Sequence, residues 1–339
     1  MNTLADLNDH LFADLERINS EDLNMNNHSL WELQQKKSLP LDAKILMTKR
    51  RLKQWHIKYN GNVYLAFSGG KDSTVLKDIL QDIFPDVPAV FCNTGLEYPE
   101  VKKFAMSQNN VKVITPKMMF KEVISKYGYP VISKEQSSYI ADIRNTKSEY
   151  IRNLRLNGNK TGSYKLSEKW KFMLNAPFKI SDKCCKVMKK EPFIRYEKET
   201  GAKGIVATMT DESILRLNTW LRFGCNAFNA KRPLSRPMSF WTEQDILQYI
   251  VEHNLKIASV YGEIKQKENG EYYTTGLKRT GCMFCMYGAQ NENPNRFQIM
   301  QKTHPKQYDF CMNTLGLKNV LSYMNIPFKE EQTTLECFK

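Results

Sequence analysis

The 339-residue sequence has no apolar run approaching the ~18 residues that a membrane-spanning helix needs, which excludes a helical integral membrane protein. Its first residues, MNTLADLNDH, carry acids where a secretory signal would place bases ahead of an apolar stretch. Internal repeats and low-complexity tracts are lacking as well, so solenoid and fibrous architectures fall away. So do the hydrolase classes that need a Ser/His/Asp or paired-carboxylate constellation, because none stands out. A chain of this kind is expected in the cytoplasm, and its eight cysteines are therefore not a disulfide framework.

What is present is enough for a large core. Forty-one per cent apolar residues exclude wholesale disorder, and the length suits one large α/β domain with additions, or two domains. The net charge of +14 is gathered in blocks. Residues 1–34 hold seven acids and one base, residues 35–58 eight bases and one acid, and residues 141–190 thirteen bases and four acids. Blocks of basic charge point to a polyanion, either nucleic acid or a phosphate-rich small molecule, against the plainer alternative of solvated helix faces. Bases in 141–190 alternate with Tyr139, Tyr150, Tyr164, Trp170 and Phe172, a mixture that suits phosphate contacts with base stacking or a helix face packing its rings inward.

Periodicity predicts helix through residue 58, with a break near Pro40. Short apolar strands follow at Val63–Phe67, Ala89–Cys92, Val111–Ile114 and Gly204–Thr208, with helices between them. This alternation predicts an α/β fold with a mostly parallel sheet covered on both faces. One long polar helix is expected over 137–156, a basic insertion outside the core over 157–190, a capped helix over 242–253, and a last helical stretch over 295–321. The organisation expected is a helical extension (1–58), a nucleotide-binding domain (59–260, with a basic insertion at about 141–190) and a C-terminal cysteine-containing region (261–339).

Ser68-Gly69-Gly70-Lys71-Asp72-Ser73-Thr74 lies between the first strand and a helix. Two glycines let backbone N–H groups turn toward an anion, and the helix N-terminus adds the positive end of its dipole. Lys71 supplies a charge, Ser68, Ser73 and Thr74 supply hydroxyls, and Asp72 can hold Mg²⁺ or cap the helix. The string lacks the GxxxxGK(S/T) spacing of a Walker A loop. It resembles the PP-loop of the ATP-pyrophosphatase superfamily, a resemblance that implies a Rossmann-like fold, ATP with Mg²⁺, cleavage between the α and β phosphates, and adenylation of a substrate.

Cys92-Asn93-Thr94-Gly95-Leu96-Glu97-Tyr98-Pro99-Glu100 is similar to the DTGxxFPET segment of the phosphoadenosine phosphosulfate (PAPS) reductase family, which implies that Asn93, Thr94, Gly95 and Glu97 sit beside the nucleotide. Asn93 replaces the usual acid, leaving Glu97 or Asp72 as the carboxylate for a metal. Glu212, Ser213 and Arg216 resemble the family's ES-x-x-R element, and Pro233-Leu234 through Trp241 to Ile246 its PLxxW-x-x-x-DV helix. For Asp211 and Ser213 a capped helix start is the plainer reading. The resemblance spans roughly residues 60–290.

Cys184-Cys185 and Cys282-Met283-Phe284-Cys285 are separated by 96 residues. Clustered thiolates in a cytosolic protein read as metal ligands. Adjacent cysteines are awkward for one tetrahedral zinc but can reach different irons of a cuboidal cluster, and Lys183, Lys186, Lys189 and Lys190 would stabilise the thiolates. The order and the CCxxxKxxP context are similar to adenylyl-sulfate reductases, which implies a 4Fe-4S cluster; zinc and unligated thiols remain the alternatives. Cys92 and Cys311 are expected in the core. Leu335-Glu336-Cys337 partly echoes the terminus that carries the nucleophile of sulfonucleotide reductases.

These features imply a PAPS reductase-family enzyme that adenylates a substrate through Lys71 and Asp72, releases pyrophosphate and supports sulfur transfer, as in Dnd-type phosphorothioation enzymes and tRNA-thiolating relatives. DNA or RNA, a sulfur-donor protein or a partner subunit would then join the adenine nucleotide as partners. The competing expectations are an APS or PAPS reductase using Cys337 to release sulfite, and a non-catalytic nucleotide- or DNA-binding regulator.

Overall fold

The computed structural model describes residues 28–329, so Cys337 and most of the acidic first block lie outside the described residues. The chain forms two compact units. One comprises the chain to Cys92 with Pro99–Ile114 and Arg195–Arg279; the other comprises Asn93–Tyr98, Thr115–Ile194 and the chain from Thr280. In chain order the strands are β1 (Val63–Phe67), β2 (Ala89–Cys92), β3 (Val111–Ile114), β4 (Val131–Ile132), β5 (Lys203–Val206), β6 (Asn226–Ala227), β7 (Leu234–Ser235), β8 (Ile264–Gln266), β9 (Tyr272–Thr274) and β10 (Met286–Tyr287).

The first unit is built on a six-stranded sheet of order β3-β2-β1-β5-β7-β6. Every pairing is parallel except β6 with β7. Leu65 sits at the centre, in register with Ala89 on one side and Ile205 on the other. The central β1 and its neighbour β2 read as continuous apolar runs because helices cover both faces. Trp55, Phe67, Phe91, Trp220, Phe240 and Trp241 fill the core. From β1 the chain winds outward through β2 to β3, then returns to place β5 on the other flank of β1. The carboxyl ends of β1 and β5 therefore border the switch point where open α/β sheets take ligands.

The second unit is mainly helical. Parallel pairing of β4 with β10 joins residues 131–132 to the segment just after the CxxC pair. The expected long helix is instead two, Lys134–Asn145 and Glu149–Asn157, because Thr146 turns extended and Ser148 caps a new start by accepting from the Ile151 N–H. Residues 157–190 do not stay outside the core: Leu166, Met173 and Ile180 are buried. Arg144 pins this stretch by donating to the carbonyls of Leu174, Phe178 and Ala176. The expected 295–321 helix is interrupted at His304-Pro305 and at Gly316, where Pro305 starts a new helix and Gly316 takes a left-handed φ of +73°. No helix among the described residues is long and apolar enough to cross a membrane.

Candidate functional site

In the first unit β1 ends at Phe67 and the helix Lys71–Ile83 begins four residues later, so Ser68-Gly69-Gly70 makes the whole turn. Gly69 takes φ +72°, and a Cβ there would meet Ala105 Cβ and the Val101 carbonyl at 2.9 Å. Only glycine fits both demands. The Ser68 and Ser73 hydroxyls lie 2.9 Å apart, and the Gly70 carbonyl accepts from Ser73 Oγ at 2.9 Å and Thr74 Oγ1 at 3.0 Å. These hydroxyls shape the loop from within. Lys71 is buried, with its ammonium 3.3 Å from Asp72 Oδ1, 3.5 Å from Glu243 Oε1 and 3.3 Å from the Lys278 carbonyl. Its backbone N–H donates to the Tyr261 hydroxyl at 3.2 Å.

A second group follows β5. The Glu212 carboxylate pairs with Arg216 and with Arg279, the latter at 2.6 Å, and also accepts from the Met209 N–H. Ser213 caps the helix Ile214–Phe223, accepting from the Arg216 N–H at 3.3 Å. Burial, then the neighbouring Arg279 and Arg236, hold Arg216 below the ordinary guanidinium range, while Asp72 opposes them. Thr210 Oγ1 and Arg236 Nη1 are buried and make no hydrogen bond among the described residues. Crowded cations with unfilled donors make this end of the sheet receptive to an anion.

The second unit gathers the other predicted residues. Glu97 accepts from the Thr94 N–H at 3.1 Å and the Thr94 hydroxyl at 2.6 Å, closing the Asn93–Tyr98 loop on itself. The Leu96 carbonyl accepts from the Met283 N–H at 2.8 Å, which ties that loop to the CxxC pair. Burial, then the nearby Cys185, Cys282 and Cys285, push the Cys184 thiol up. Burial and Cys282 raise Cys185, against Lys189, Lys134 and Lys190. Burial and Cys282 push Cys285 up to about 11. The four cysteines are thus within electrostatic reach of one another, and the Cys282 sulfur in turn raises the Lys189 ammonium. Tyr287 presents a buried hydroxyl with no partner among the described residues. Among those residues no three His, Cys, Asp or Glu converge tightly enough for a single metal ion. Cys184 and Cys185 stand on successive helical positions, about 100° apart around the axis, and so face different directions.

Residues 62–150 match the family model for the phosphoadenosine phosphosulfate reductase domain. The likeness is confined to that segment. It holds Ser68–Thr74 and Asn93–Glu97, whereas Glu212, Ser213, Arg216 and the four cysteines lie beyond it. Among solved structures the chain is similar to a phosphoadenylyl-sulfate reductase from Candida auris, at 14% identity over 72% of this chain and 98% of that one, TM-score 0.35. It is also similar to FMN adenylyltransferase from Candida glabrata in complex with ATP (11%, 68% and 64%, 0.37) and to the tRNA thiolase NcsA from Methanococcus maripaludis with its 4Fe-4S cluster (15%, 82% and 80%, 0.35). No curated protein matches the chain.

Around the loop Ser68–Thr74 the structure adds residues that sequence reasoning missed. Glu243, Tyr261 and Lys278 surround Lys71 from at least 172 positions away in the chain, and Arg236 and Arg279 join Arg216. Of these only Glu243 carries a local signal, as an acid in the first turn of its helix, where it also suits the helix dipole. Cys92, Cys225 and Cys311 are buried, as expected for Cys92 and Cys311.

Proposed function

We propose that the protein binds Mg-ATP at Ser68–Thr74, adenylates an acceptor with release of pyrophosphate, and supports sulfur transfer with a 4Fe-4S cluster held by Cys184, Cys185, Cys282 and Cys285. The reading is carried by the strand–loop–helix turn whose Gly69 conformation aims the backbone and helix dipole at an anion. An acceptor oxygen attacks the α-phosphorus, the bond to the β-phosphate breaks, and pyrophosphate leaves. Lys71 and Arg216 balance charge on the phosphates, and Asp72, whose buried Oδ1 faces the Lys71 ammonium at 3.3 Å, is the carboxylate for Mg²⁺.

The four cysteines fit a multi-iron group by the chemistry of their donor set. They are soft, mutually repelling thiols on diverging positions, with Lys189 to offset negative charge. When bound, such a cluster supplies Lewis-acid or redox chemistry for sulfur. A sulfur-donor protein and a nucleic-acid acceptor complete this reading.

Incubation with Mg-ATP and candidate acceptors, followed by assay of AMP and pyrophosphate, tests the adenylation. No pyrophosphate above a Lys71→Ala control overturns it. Anaerobic purification should give a brown, iron-containing protein; a colourless zinc protein refutes the cluster. The match of residues 62–150 to the PAPS reductase domain model favours a second reading, sulfonucleotide reduction at Cys337, for which sulfite release from APS or PAPS should vanish in Cys337→Ser.

A further inference from the structure

The basic stretch of the second unit carries two populations of aromatic rings. Tyr139 and Trp170, 5% and 8% exposed, belong to the core, and Arg155 stacks on Tyr139 with its guanidinium carbon 4.3 Å from the ring centre. Tyr150 and Tyr164 are different, at 73% and 56% exposed. Tyr150 stands in the first turn of the helix Glu149–Asn157, and Tyr164 lies in the loop that follows it.

That loop is closely hydrogen-bonded. Asn159 Oδ1 accepts from the Thr161 N–H, the Thr161 hydroxyl and the Ser163 N–H, while Asn159 N–H donates to the Ser163 carbonyl. The Leu166 N–H donates to the Arg155 carbonyl at 2.7 Å, and fully buried Leu166 anchors the far end. Held this way, Tyr164 takes φ +66°, a left-handed conformation that costs a non-glycine residue about 1–2 kcal/mol. Such strain on an exposed aromatic residue is not explained by burial of its ring and points to a role at the surface. Along the same segment Lys147, Lys160 and Lys165 are exposed and have no ion-pair partner among the described residues, with Arg152 and Lys169 also exposed. The exposed acids between 147 and 169 are only Glu149 and Glu168.

From this arrangement we infer that the helix Glu149–Asn157 and the loop after it form a docking surface for single-stranded nucleic acid. Tyr150 and Tyr164 stack on bases, and Lys147, Lys160 and Lys165 follow the phosphates. Cations alone would suit any polyanion; outward rings on a hydrogen-bonded frame select one whose bases are free to stack. The inference specifies that the nucleic-acid acceptor of the adenylation reading is single-stranded, and depends on that reading for the chemistry but not for the binding.

The test uses the full chain and fluorescence anisotropy with a fluorescein-labelled 20-mer of deoxythymidine, a duplex of equal length and polyglutamate as competitor. The single strand should bind more tightly than the duplex. Tyr150→Ser and Tyr164→Gly should each weaken it on the order of 10-fold without changing the salt slope. Glycine relieves the strain at 164, so a loss there reports the ring and not the loop. Tyr150→Phe should retain affinity, and Lys160→Gln with Lys165→Gln should flatten the salt slope by about 0.7 per charge removed. Equal binding of duplex and single strand with no effect of the tyrosine variants overturns the proposal, as does equal competition by polyglutamate. Lys71→Ala should leave binding intact, so loss of pyrophosphate release and loss of docking are separate failures.

Discussion

The Lys71 ammonium stands 3.5 Å from Glu243, a carboxylate that also holds Lys278 at 3.1 Å. The Lys71 ammonium is therefore already shared between carboxylates, and under the proposed function a phosphate would compete with Glu243 for it. Glu243 is part-exposed, so the pair is worth roughly 0.2–1 kcal/mol. Glu243→Gln should tighten Mg-ATP binding about 2- to 5-fold by isothermal titration. Unchanged or weaker binding would mean that Glu243 positions the lysine rather than restraining it.

Gly69 is the position where the loop tolerates least. Alanine there would face a left-handed φ and contacts of 2.9 Å with a backbone carbonyl and the Ala105 methyl, neither of which is a flexible side-chain end. Gly69→Ala should lower unfolding stability by about 1–3 kcal/mol in urea titrations and abolish nucleotide binding. Gly95→Ala is a control for φ alone, because nothing lies within 4 Å of a Cβ at that site.

Contiguous chemistry was legible in the sequence, and chemistry assembled across the chain was not. Ser68–Thr74 is one string between an apolar strand and an amphipathic helix, so its turn, its helix start and its glycines could all be read from neighbours. The cysteine pairs were legible because thiols are scarce and soft. By contrast, Tyr261, Lys278 and Arg279 reach the phosphate loop or Glu212 only through sheet order, and nothing local marks them. β6 and β7 were missed because two-residue strands carry no period, and the 157–190 stretch was misjudged because its charges mask Leu166, Met173 and Ile180.

Lys44 donates to both oxygens of Asp245 at 2.8 and 2.7 Å, inside the first unit and almost out of contact with water. Asp245 also closes the capping box of the helix Glu243–Glu252 by accepting from the Thr242 N–H and hydroxyl. Lys44→Ala leaves a buried carboxylate without its cation and should cost about 3–5 kcal/mol. Lys44→Met fills the space yet still strands the charge, so it should recover only part of the loss. Both are read from urea midpoints at constant slope. A cost below 1 kcal/mol for Lys44→Ala would show that water or another cation reaches Asp245.

Tyr139 gives a pH dependence with a definite sign. Burial first, then its hydrogen bond to Glu135 at 2.6 Å and the charge of that carboxylate, push the phenol up to about 12. An unfolded tyrosine ionises near 10. Below that pH both states keep the proton and the phenol contributes its full stability. As pH rises the unfolded chain releases the proton first, the folded state binds more protons, and stability falls until the folded phenol also ionises near 12. Tyr139→Phe keeps the ring under Arg155 and removes only the hydroxyl. The variant should be displaced by a constant amount below pH 9 and should lose less stability than the wild type between pH 10 and 12. Parallel stability–pH curves over that window would show that the Tyr139 hydroxyl is solvated in the folded protein.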